Sequence, residues 1–345
     1  MTETSANTAV QHPIRGTGQH RDLVAEQGGV DVTNRPEAGP IAVLPRENAQ
    51  FTDAVRAGGG TVAPLSEDTR GVVWLSYQRA AELGDVLAAH PGIGWVQLPW
   101  AGVDAFASVL EQFAGSVRPL WTSAKGAYSE PVAEQALMLA LSLLREVPQR
   151  SVSTSWAKEL TGTSLYGKNV VIIGAGGIAV ELIRLLSVFE ARITIVRRTS
   201  APVDGTDRTV TADQLLDVLP TADVVVIAAA STIDTKSMFG AEEFAAMKSS
   251  AVLVNIARGA LVDTDALVTA LETGQIASAG LDVTSPEPLP DGHPLWNLAN
   301  CVITSHSADT PAMTAPLLAH RVQVNVEAFL GHGRFVGIVD PAAGY

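Results

Sequence analysis

The stretch VVIIGAGGIAVELIRLL, residues 170–186, constrains the fold of this chain more than any other segment. A run of Val and Ile ends in a glycine-rich turn, and apolar residues then resume with the spacing of an amphipathic helix. Gly174 permits a tight turn, Gly176 lets the backbone approach a pyrophosphate, and Ala179 allows close helix–strand packing. Backbone N–H groups at the positive end of the helix would face the phosphates. This strand–turn–helix context predicts a dinucleotide-binding site, with a turn required only by packing as the alternative.

The rest of the chain alternates short apolar runs with helical segments. In the first half, the predicted strands are residues 41–45, 61–65, 71–75 and 94–100, with a helix over Gln78–Ala89. In the second half, they are residues 169–174, 192–196, 222–230, 251–257, 277–283 and 301–304. Nearly continuous Val/Ile runs are typical of parallel strands that are buried on both faces. We therefore predict an α/β protein with two doubly wound parallel sheets.

A length of 345 residues fits two domains. We predict a flexible extension over residues 1–39, a substrate domain formed by 40–128 and 310–345, and a dinucleotide-binding domain over 129–309. A long helix over 129–147, with Ser129 as its cap and Pro131 in its first turn, would lie between the domains. A last helix over Leu317–Leu330 would return to the first domain, so that the second domain is inserted into the first.

Charge and cysteine content exclude several classes of protein. A net charge of −13 argues against a general nucleic-acid or membrane-surface binder. The single cysteine, Cys301, allows no intrachain disulfide and indicates a cytoplasmic protein, and Cys301 itself reads as a small buried hydrophobe. The first residues show no secretory signal, and the apolar run 136–144 is too short to span a bilayer. No metal site is predicted.

The second strand of the dinucleotide unit indicates which dinucleotide is bound. An NAD site places Asp or Glu at that strand's end, about 20 residues beyond the turn, to bind the ribose 2′-hydroxyl. Here the segment ITIVRRTS places Arg197, Arg198 and Thr199 there, followed by Ser200. Guanidinium and hydroxyl groups suit a 2′-phosphate. We therefore predict NADP(H), with NAD(H) as a possible cofactor and a solvated basic turn as the alternative.

Three further segments occur in order. They are LYGKNVVIIGAGGIA from Leu165, VNIARGALVDTDALVTAL, and AGLDVTSPEPLPDGHPLWNLANCVITSH. The succession of ARG, DVxxxEP and ITSH resembles the D-isomer-specific 2-hydroxyacid dehydrogenases, in particular glyoxylate/hydroxypyruvate reductases. The resemblance covers about half of the chain closely and the first domain loosely, through PWAGVD. It implies a Rossmann cofactor domain inserted into a flavodoxin-like substrate domain.

The resemblance also implies the catalytic residues. Arg258 of the ARG segment would bind the substrate, Glu287 would pair with the histidine, and His306 would donate the proton. An imidazole has a pKa near neutrality and suits general acid work, and a carboxylate favours its protonated form. A guanidinium offers a fork of donors to a carboxylate and to a developing oxyanion. The alternatives are a strand-end cap for Arg258, surface charge for Glu287 and a structural histidine for His306.

The remaining site residues follow from the glycine turn and the resemblance. The expected cofactor-binding residues are Gly174, Gly176, Gly177, Ile178, Arg197, Arg198, Thr199, Ala257 and Asp282. The expected substrate-binding residues are Trp100, Ala101, Gly102, Val103 and Arg258, with Tyr128 as a further pocket residue. Gly102 and Val103 would offer backbone N–H groups to an anion, and a simple strand-to-helix turn is the alternative. Asp282 would accept a bond from the nicotinamide carboxamide, or cap the turn that follows it.

The resemblance implies reversible NADP(H)-linked reduction of a small 2-keto acid to the D-2-hydroxy acid, in a homodimer. Two departures stand out: Ser305 replaces the family's proline before the histidine and would loosen that loop, and Ala179 replaces the third glycine. The chain ends at Tyr345, with no room for the regulatory domain of some phosphoglycerate dehydrogenases. Two rivals remain: a formate-dehydrogenase-like enzyme, which pairs its histidine with glutamine, and a dinucleotide-sensing corepressor or scaffold with little turnover.

Overall fold

A computed structural model describes His20, residues 29–156 and residues 158–343. Most of the flexible extension expected over residues 1–39 therefore lies outside the described residues. Residues 29–39 are held in place, because Val30 forms an antiparallel bridge with Phe335 and Arg35 donates to the carbonyl oxygen of Ala328 at 2.6 Å. This part of the extension is attached to the C-terminal segment.

The first sheet has four parallel strands in the order β1-β2-β3-β4. The strands are β1 (Ile41–Leu44), β2 (Gly71–Trp74), β3 (Trp95–Gln97) and β4 (Leu120–Thr122). The strand predicted over residues 61–65 is reduced to one parallel bridge between Val62 and Ile41. Pro64 explains the difference, because it has no N–H for a ladder of hydrogen bonds. Val62 nevertheless lies on the outer side of β1, which gives the strand order of a flavodoxin-like sheet.

The second sheet has seven parallel strands in the order β7-β6-β5-β8-β9-β10-β11. The strands are β5 (Asn169–Ile173), β6 (Arg192–Arg197), β7 (Arg208–Thr211), β8 (Val224–Ile227), β9 (Val252–Asn255), β10 (Ser278–Leu281) and β11 (Cys301–Ile303). The order reverses between β5 and β8, as in a doubly wound dinucleotide-binding sheet. The six strands predicted here are confirmed. The edge strand β7 is additional; its sequence RTVT carries no apolar run.

Ten α-helices connect the strands in the described part of the chain. They are α1 (Ala49–Ala57), α2 (Ala80–Ala89), α3 (Ala107–Gln112), α4 (Ser129–Leu144), α5 (Val147–Ser151), α6 (Gly177–Leu186), α7 (Leu215–Val218), α8 (Ala241–Ala246), α9 (Thr264–Glu272) and α10 (Pro311–Phe329). The predicted helix over 78–89 is confirmed as α2, two residues shorter at its start. Ser129 is the first residue of α4 rather than its cap, and its hydroxyl donates to the carbonyl oxygen of Gly126. None of these helices has an apolar run long enough to cross a bilayer.

Two helices connect the sheets. Helix α4 packs against α6, β9 and β10 of the second sheet, where Leu139 and Leu143 contact the bare backbone of Gly280. Helix α10 packs against α1, and its Phe329 stacks on Trp95 of β3 with ring centroids 5.2 Å apart. The buried amide of Asn325 in α10 also donates to the Gln97 side chain at 2.7 Å. The last helix thus returns to the first sheet, as the sequence predicts.

Candidate active site

The glycine turn between β5 and α6 contains glycines in two different environments. Gly174 has a φ of +105°, and a Cβ atom there would lie 2.6 Å from the carbonyl oxygen of Ala228. A Cβ at Gly177 would clash with the Ser129 hydroxyl. Gly176 is different, because a Cβ there would meet no atom within 4 Å. Close packing of the surrounding atoms therefore requires glycine at Gly174 and Gly177, whereas Gly176 faces open space beside the start of α6.

The surroundings of Gly176 fit a phosphate group. Gly176 is the N-cap residue of the ten-residue helix α6, and no side chain caps this end of the helix. The amino end of a helix with uncapped N–H groups attracts anions. Arg197 ends β6, the strand next to β5, and the exposed Arg198 and Thr199 follow it. The cations predicted for a 2′-phosphate thus lie at the same edge of the sheet as the glycine turn.

His306, the predicted proton donor, contacts Glu287, its predicted carboxylate partner. Nδ1 of His306 lies 2.6 Å from Oε1 of Glu287, and both side chains are half-exposed, at 44% and 42%. Glu287 follows β10 and His306 follows β11, which are neighbouring parallel strands. This contact occupies Nδ1 and leaves Nε2 as the nitrogen that is available for a substrate. The contact shows that Glu287 and His306 form a pair, and the catalytic role of this pair stays a prediction.

The loop that carries His306 is fixed by Asp282, which is 2% exposed at the end of β10. The N–H of Ser307 donates to Oδ1 of Asp282 at 3.0 Å, and the N–H of Ala308 donates to Oδ2 at 3.2 Å. The N–H of His306 also donates to the Asp282 carbonyl oxygen at 2.5 Å. Asp282 therefore holds the histidine loop, rather than capping the turn that follows it in sequence.

Ser305, which departs from the family's proline, lies in a backbone conformation that proline cannot adopt. Ser305 and His306 have φ values of +48° and +53°. Proline is restricted to a φ of about −65° and cannot adopt this left-handed conformation. Serine at position 305 therefore permits the left-handed backbone conformation of this loop, and Asp282 stabilises the loop by accepting its hydrogen bonds.

Arg258 reaches from the second sheet to the first. It follows β9, and its Nε and Nη2 donate to Oδ2 of Asp104, which follows β3, at 3.0 and 2.9 Å. Its Nη1 donates to the carbonyl oxygen of Ala257 at 2.7 Å. The guanidinium lies against the backbone of Gly102, where a Cβ atom would clash with Nη2. Arg258 is thus directly beside the predicted substrate loop.

The segment Trp100–Val103 forms the wall of the cleft on the first sheet. The Trp100 ring contacts the ring of Tyr128 edge to face, and the Tyr128 hydroxyl donates to the carbonyl oxygen of Pro99 at 2.8 Å. Val103 is buried, while Ala101 and Gly102 are partly exposed. Within the described residues, the N–H groups of Gly102 and Val103 have no hydrogen-bond acceptor. They suit an anion, as predicted for this loop.

Three side chains that the sequence reasoning missed surround these groups: Tyr77, Asp104 and Asp309. Burial and the nearby Asp104 carboxylate raise the pKa of Tyr77, with a smaller contribution from Glu287, while Arg258 lowers it. Burial raises the pKa of Asp309 to about 6 despite the nearby His306 and Arg258. Tyr77 and Asp309 each interact electrostatically with members of both charged pairs, which indicates that the two pairs lie near each other.

A cavity of about 300 Å³ opens beside the Glu287–His306 pair. Leu289, Trp296 and Ile303 form its apolar wall, and Asp282 and Ser305 also line it. Its volume lies at the lower end of the range for small-molecule sites. Arg258 is not among the residues that line this cavity.

Comparisons with known proteins indicate the family of this chain. The family model for the D-isomer-specific 2-hydroxyacid dehydrogenase NAD-binding domain matches residues 136–308. An uncharacterised protein encoded in the proB 3′ region of Corynebacterium melassecola is 36% identical over 86% of this chain and 97% of its own length. The human glyoxylate reductase/hydroxypyruvate reductase is 37% identical over 52% of this chain and 57% of its own length.

Among solved structures, the NADPH-dependent glyoxylate/hydroxypyruvate reductase of Sinorhizobium meliloti superposes with a TM-score of 0.69. It is 25% identical, over 89% of this chain and 98% of its own. The fold and the site thus define an oxidoreductase that uses a nicotinamide dinucleotide. The chain belongs to the D-isomer-specific 2-hydroxyacid dehydrogenase family.

Substitutions at Gly176 and Gly174 should separate an effect on cofactor affinity from an effect on folding stability. We expect Gly176→Ala to leave the free energy of unfolding within about 0.5 kcal/mol of wild type, and to weaken NADPH binding at least about tenfold, because the methyl group fills the phosphate approach. Gly174→Ala should lower the free energy of unfolding by about 1–3 kcal/mol, owing to its positive φ and its clash with Ala228. Urea denaturation and NADPH fluorescence titration measure the two effects. Unchanged NADPH affinity in Gly176→Ala would contradict the assignment.

The partly buried carboxyl of Asp309 predicts a pH-dependent loss of stability. Its pKa is raised to about 6, so the folded state holds this proton when the unfolded chain has already lost it. Stability therefore falls as the pH rises from about 4 to above 6. We expect Asp309→Asn to stabilise the protein, with a gain that grows by about 1 kcal/mol between pH 5 and pH 7.5 in urea denaturation. Asp291→Asn, at an exposed loop position, is the control; the same gain at both pH values for Asp309→Asn would contradict the prediction.

Proposed function

We propose that the protein is an NADP(H)-linked reductase that reversibly converts a small 2-keto acid, such as glyoxylate or hydroxypyruvate, to the D-2-hydroxy acid. The observation that carries this proposal is the contact of 2.6 Å between Nδ1 of His306 and Oε1 of Glu287. Substrate and cofactor domains over 40–128 with 310–345, and over 129–309, are part of the proposal. This division is supported by the presence of one parallel sheet in each proposed domain, and by the packing of α10 against α1 of the first domain.

The proton of the reaction comes from His306. Glu287 holds the ring by Nδ1, so that Nε2 points away from Glu287, toward a substrate oxygen. The same proton returns to Nε2 when the hydroxy acid is oxidised. Asp282 fixes the loop, which limits the freedom of the ring during both directions of the reaction.

Arg258 and the segment Trp100–Val103 bind the keto acid. The guanidinium donates to the substrate carboxylate and to the carbonyl oxygen, on which negative charge grows during reduction. The N–H groups of Gly102 and Val103 donate to the carboxylate from the other side. Trp100 and Tyr128 form an apolar wall that restricts the substrate side chain and excludes water.

The residues of the second sheet hold the nicotinamide cofactor, which supplies the hydride when bound. Gly174, Gly176, Gly177 and Ile178 form the pyrophosphate turn, and Ala257 and Asp282 lie on the nicotinamide side. Arg197, Arg198 and Thr199 bind the 2′-phosphate and select NADP(H) over NAD(H). The NADPH dependence of the Sinorhizobium meliloti reductase supports this preference.

The rival functions receive less support. A formate-dehydrogenase-like enzyme would carry glutamine where this chain has Glu287. A dinucleotide-sensing corepressor or scaffold would not need a guanidinium and a carboxylate–imidazole pair at one cleft. The relatives named as glyoxylate/hydroxypyruvate reductases favour the enzyme. The cytoplasmic location expected from the single cysteine stays a prediction.

A panel of 2-keto acids, assayed with NADPH and with NADH, tests the proposal. We expect saturable reduction of glyoxylate or hydroxypyruvate and a higher kcat/KM with NADPH, because the 2′-phosphate meets two guanidinium groups. His306→Ala should lower kcat by about 10²–10⁴-fold, because the positioned proton donor is lost. His293→Ala, in the turn before the last strand, is the matched control with wild-type rates. No turnover with any keto acid, or full activity of His306→Ala, would refute the proposal.

We also propose a homodimer, formed through the segment between α5 and β5. Val152, Trp156 and Leu160 are 77%, 95% and 90% exposed in this segment. Large apolar side chains that are grouped on a surface mark a protein contact. Light scattering should give the mass of two chains, and Trp156→Glu should give one chain, because a charge cannot be buried in the contact. Val117→Glu, at an exposed position of the first sheet's domain, should stay dimeric; a wild-type monomer would contradict the proposal.

A further inference from the structure

One ion pair joins the two sheets across the cleft. Asp104 and Arg258 lie 154 residues apart in sequence, and Oδ2 of Asp104 accepts from both Nε and Nη2 of Arg258. The two side chains are 46% and 35% exposed. Exposed ion pairs contribute little to stability, because solvent screens them. A contribution to stability therefore does not explain why the Asp104 carboxylate contacts the guanidinium of Arg258, which would bind the substrate.

The geometry of the contact explains it. A guanidinium is planar and carries five N–H donors. Asp104 takes the side edge formed by Nε and Nη2, and the Ala257 carbonyl takes one donor of Nη1. Within the described residues, these contacts leave the second donors of Nη1 and Nη2 for a ligand. Asp104 thus orients the group without occupying all of the donors that a substrate carboxylate needs.

Gly102 completes the arrangement. The guanidinium lies over the Gly102 backbone in the space that a Cβ atom would fill, and such an atom would also come within 2.9 Å of Oδ2 of Asp104. The glycine therefore lets Arg258 and Asp104 meet beside the N–H groups of Gly102 and Val103. A carboxylate in that position would receive donors from the guanidinium and from the backbone together.

We propose that Asp104 is a positioning residue, which holds the Arg258 guanidinium in the orientation required for the transition state of keto-acid reduction. The proposal rests on the proposed function. Its alternative is that Asp104 competes with the substrate for Arg258. The two differ in kinetics: loss of positioning lowers kcat, whereas loss of a competitor lowers KM and leaves kcat unchanged.

The test compares Asp104→Asn with wild type and with Asp53→Asn. Asp53 also forms a surface ion pair, with Arg56 at 2.8 Å on α1, so it is a matched control for lost surface charge. We expect Asp104→Asn to lower kcat about 10–100-fold, with the NADPH dissociation constant and the melting temperature unchanged, and Asp53→Asn to match wild type. Asp104→Glu, which keeps the carboxylate, should recover part of the lost rate. An unchanged kcat in Asp104→Asn, whatever its KM or melting temperature, would overturn the proposal.

An NMR measurement distinguishes failure of this proposal from failure of the proposed function. In protein labelled with ¹⁵N-arginine, the Nε–H signal of Arg258 is identified by its loss in Arg258→Lys. We expect slow hydrogen exchange of this signal in wild type, and fast exchange in Asp104→Asn, because Asp104 accepts the Nε hydrogen bond. This result does not depend on turnover. Identical exchange in both proteins would refute the contact itself, even if wild type reduces keto acids.

Discussion

The site depends on one constraint: in a parallel sheet, all strands end at the same edge. Tyr77 follows β2, Gly102 and Asp104 follow β3, Arg258 follows β9, and Glu287 and His306 follow β10 and β11. Residues that are far apart in sequence therefore gather without any long insertion. Helix α4 packs on the second sheet and helix α10 packs against α1 and β3, while the Arg258–Asp104 ion pair joins the ends of β9 and β3. The chemistry of the protein follows from this arrangement.

Arg258 and His306 are each oriented by a carboxylate from a different segment. Arg258 is held by Asp104, and His306 is held by Glu287. The pairs have different consequences, because a guanidinium keeps its charge whereas an imidazole exchanges a proton. In the proposed reaction, the paired arginine would bind and polarise the substrate, and the paired histidine would transfer the proton. An acidic chain with a net charge of −13 can thus bind an anionic substrate through local donors.

The sequence predicts the second sheet well, because doubly buried strands need continuous Val/Ile runs that are easy to recognise. It fails for β7, an edge strand that is only partly buried, and for residues 61–65, where Pro64 removes a donor from the ladder. The Glu287–His306 pair is predicted through the resemblance, since the spacing of DVxxxEP and ITSH is specific. Tyr77, Asp104 and Asp309 were missed, because their importance arises from contacts across the cleft rather than from a local pattern. The role of Asp282 in the histidine loop is likewise visible only in three dimensions.

The most direct test of the account is a crystal structure with NADPH and oxamate, which is a non-reducible isostere of a small 2-keto acid. We expect the oxamate carboxylate to contact Arg258 and the N–H groups of Gly102 and Val103, with its carbonyl oxygen within hydrogen-bond distance of Nε2 of His306. Oxamate bound away from Arg258, or a His306 ring turned out of the cleft while both ligands are present, would contradict it.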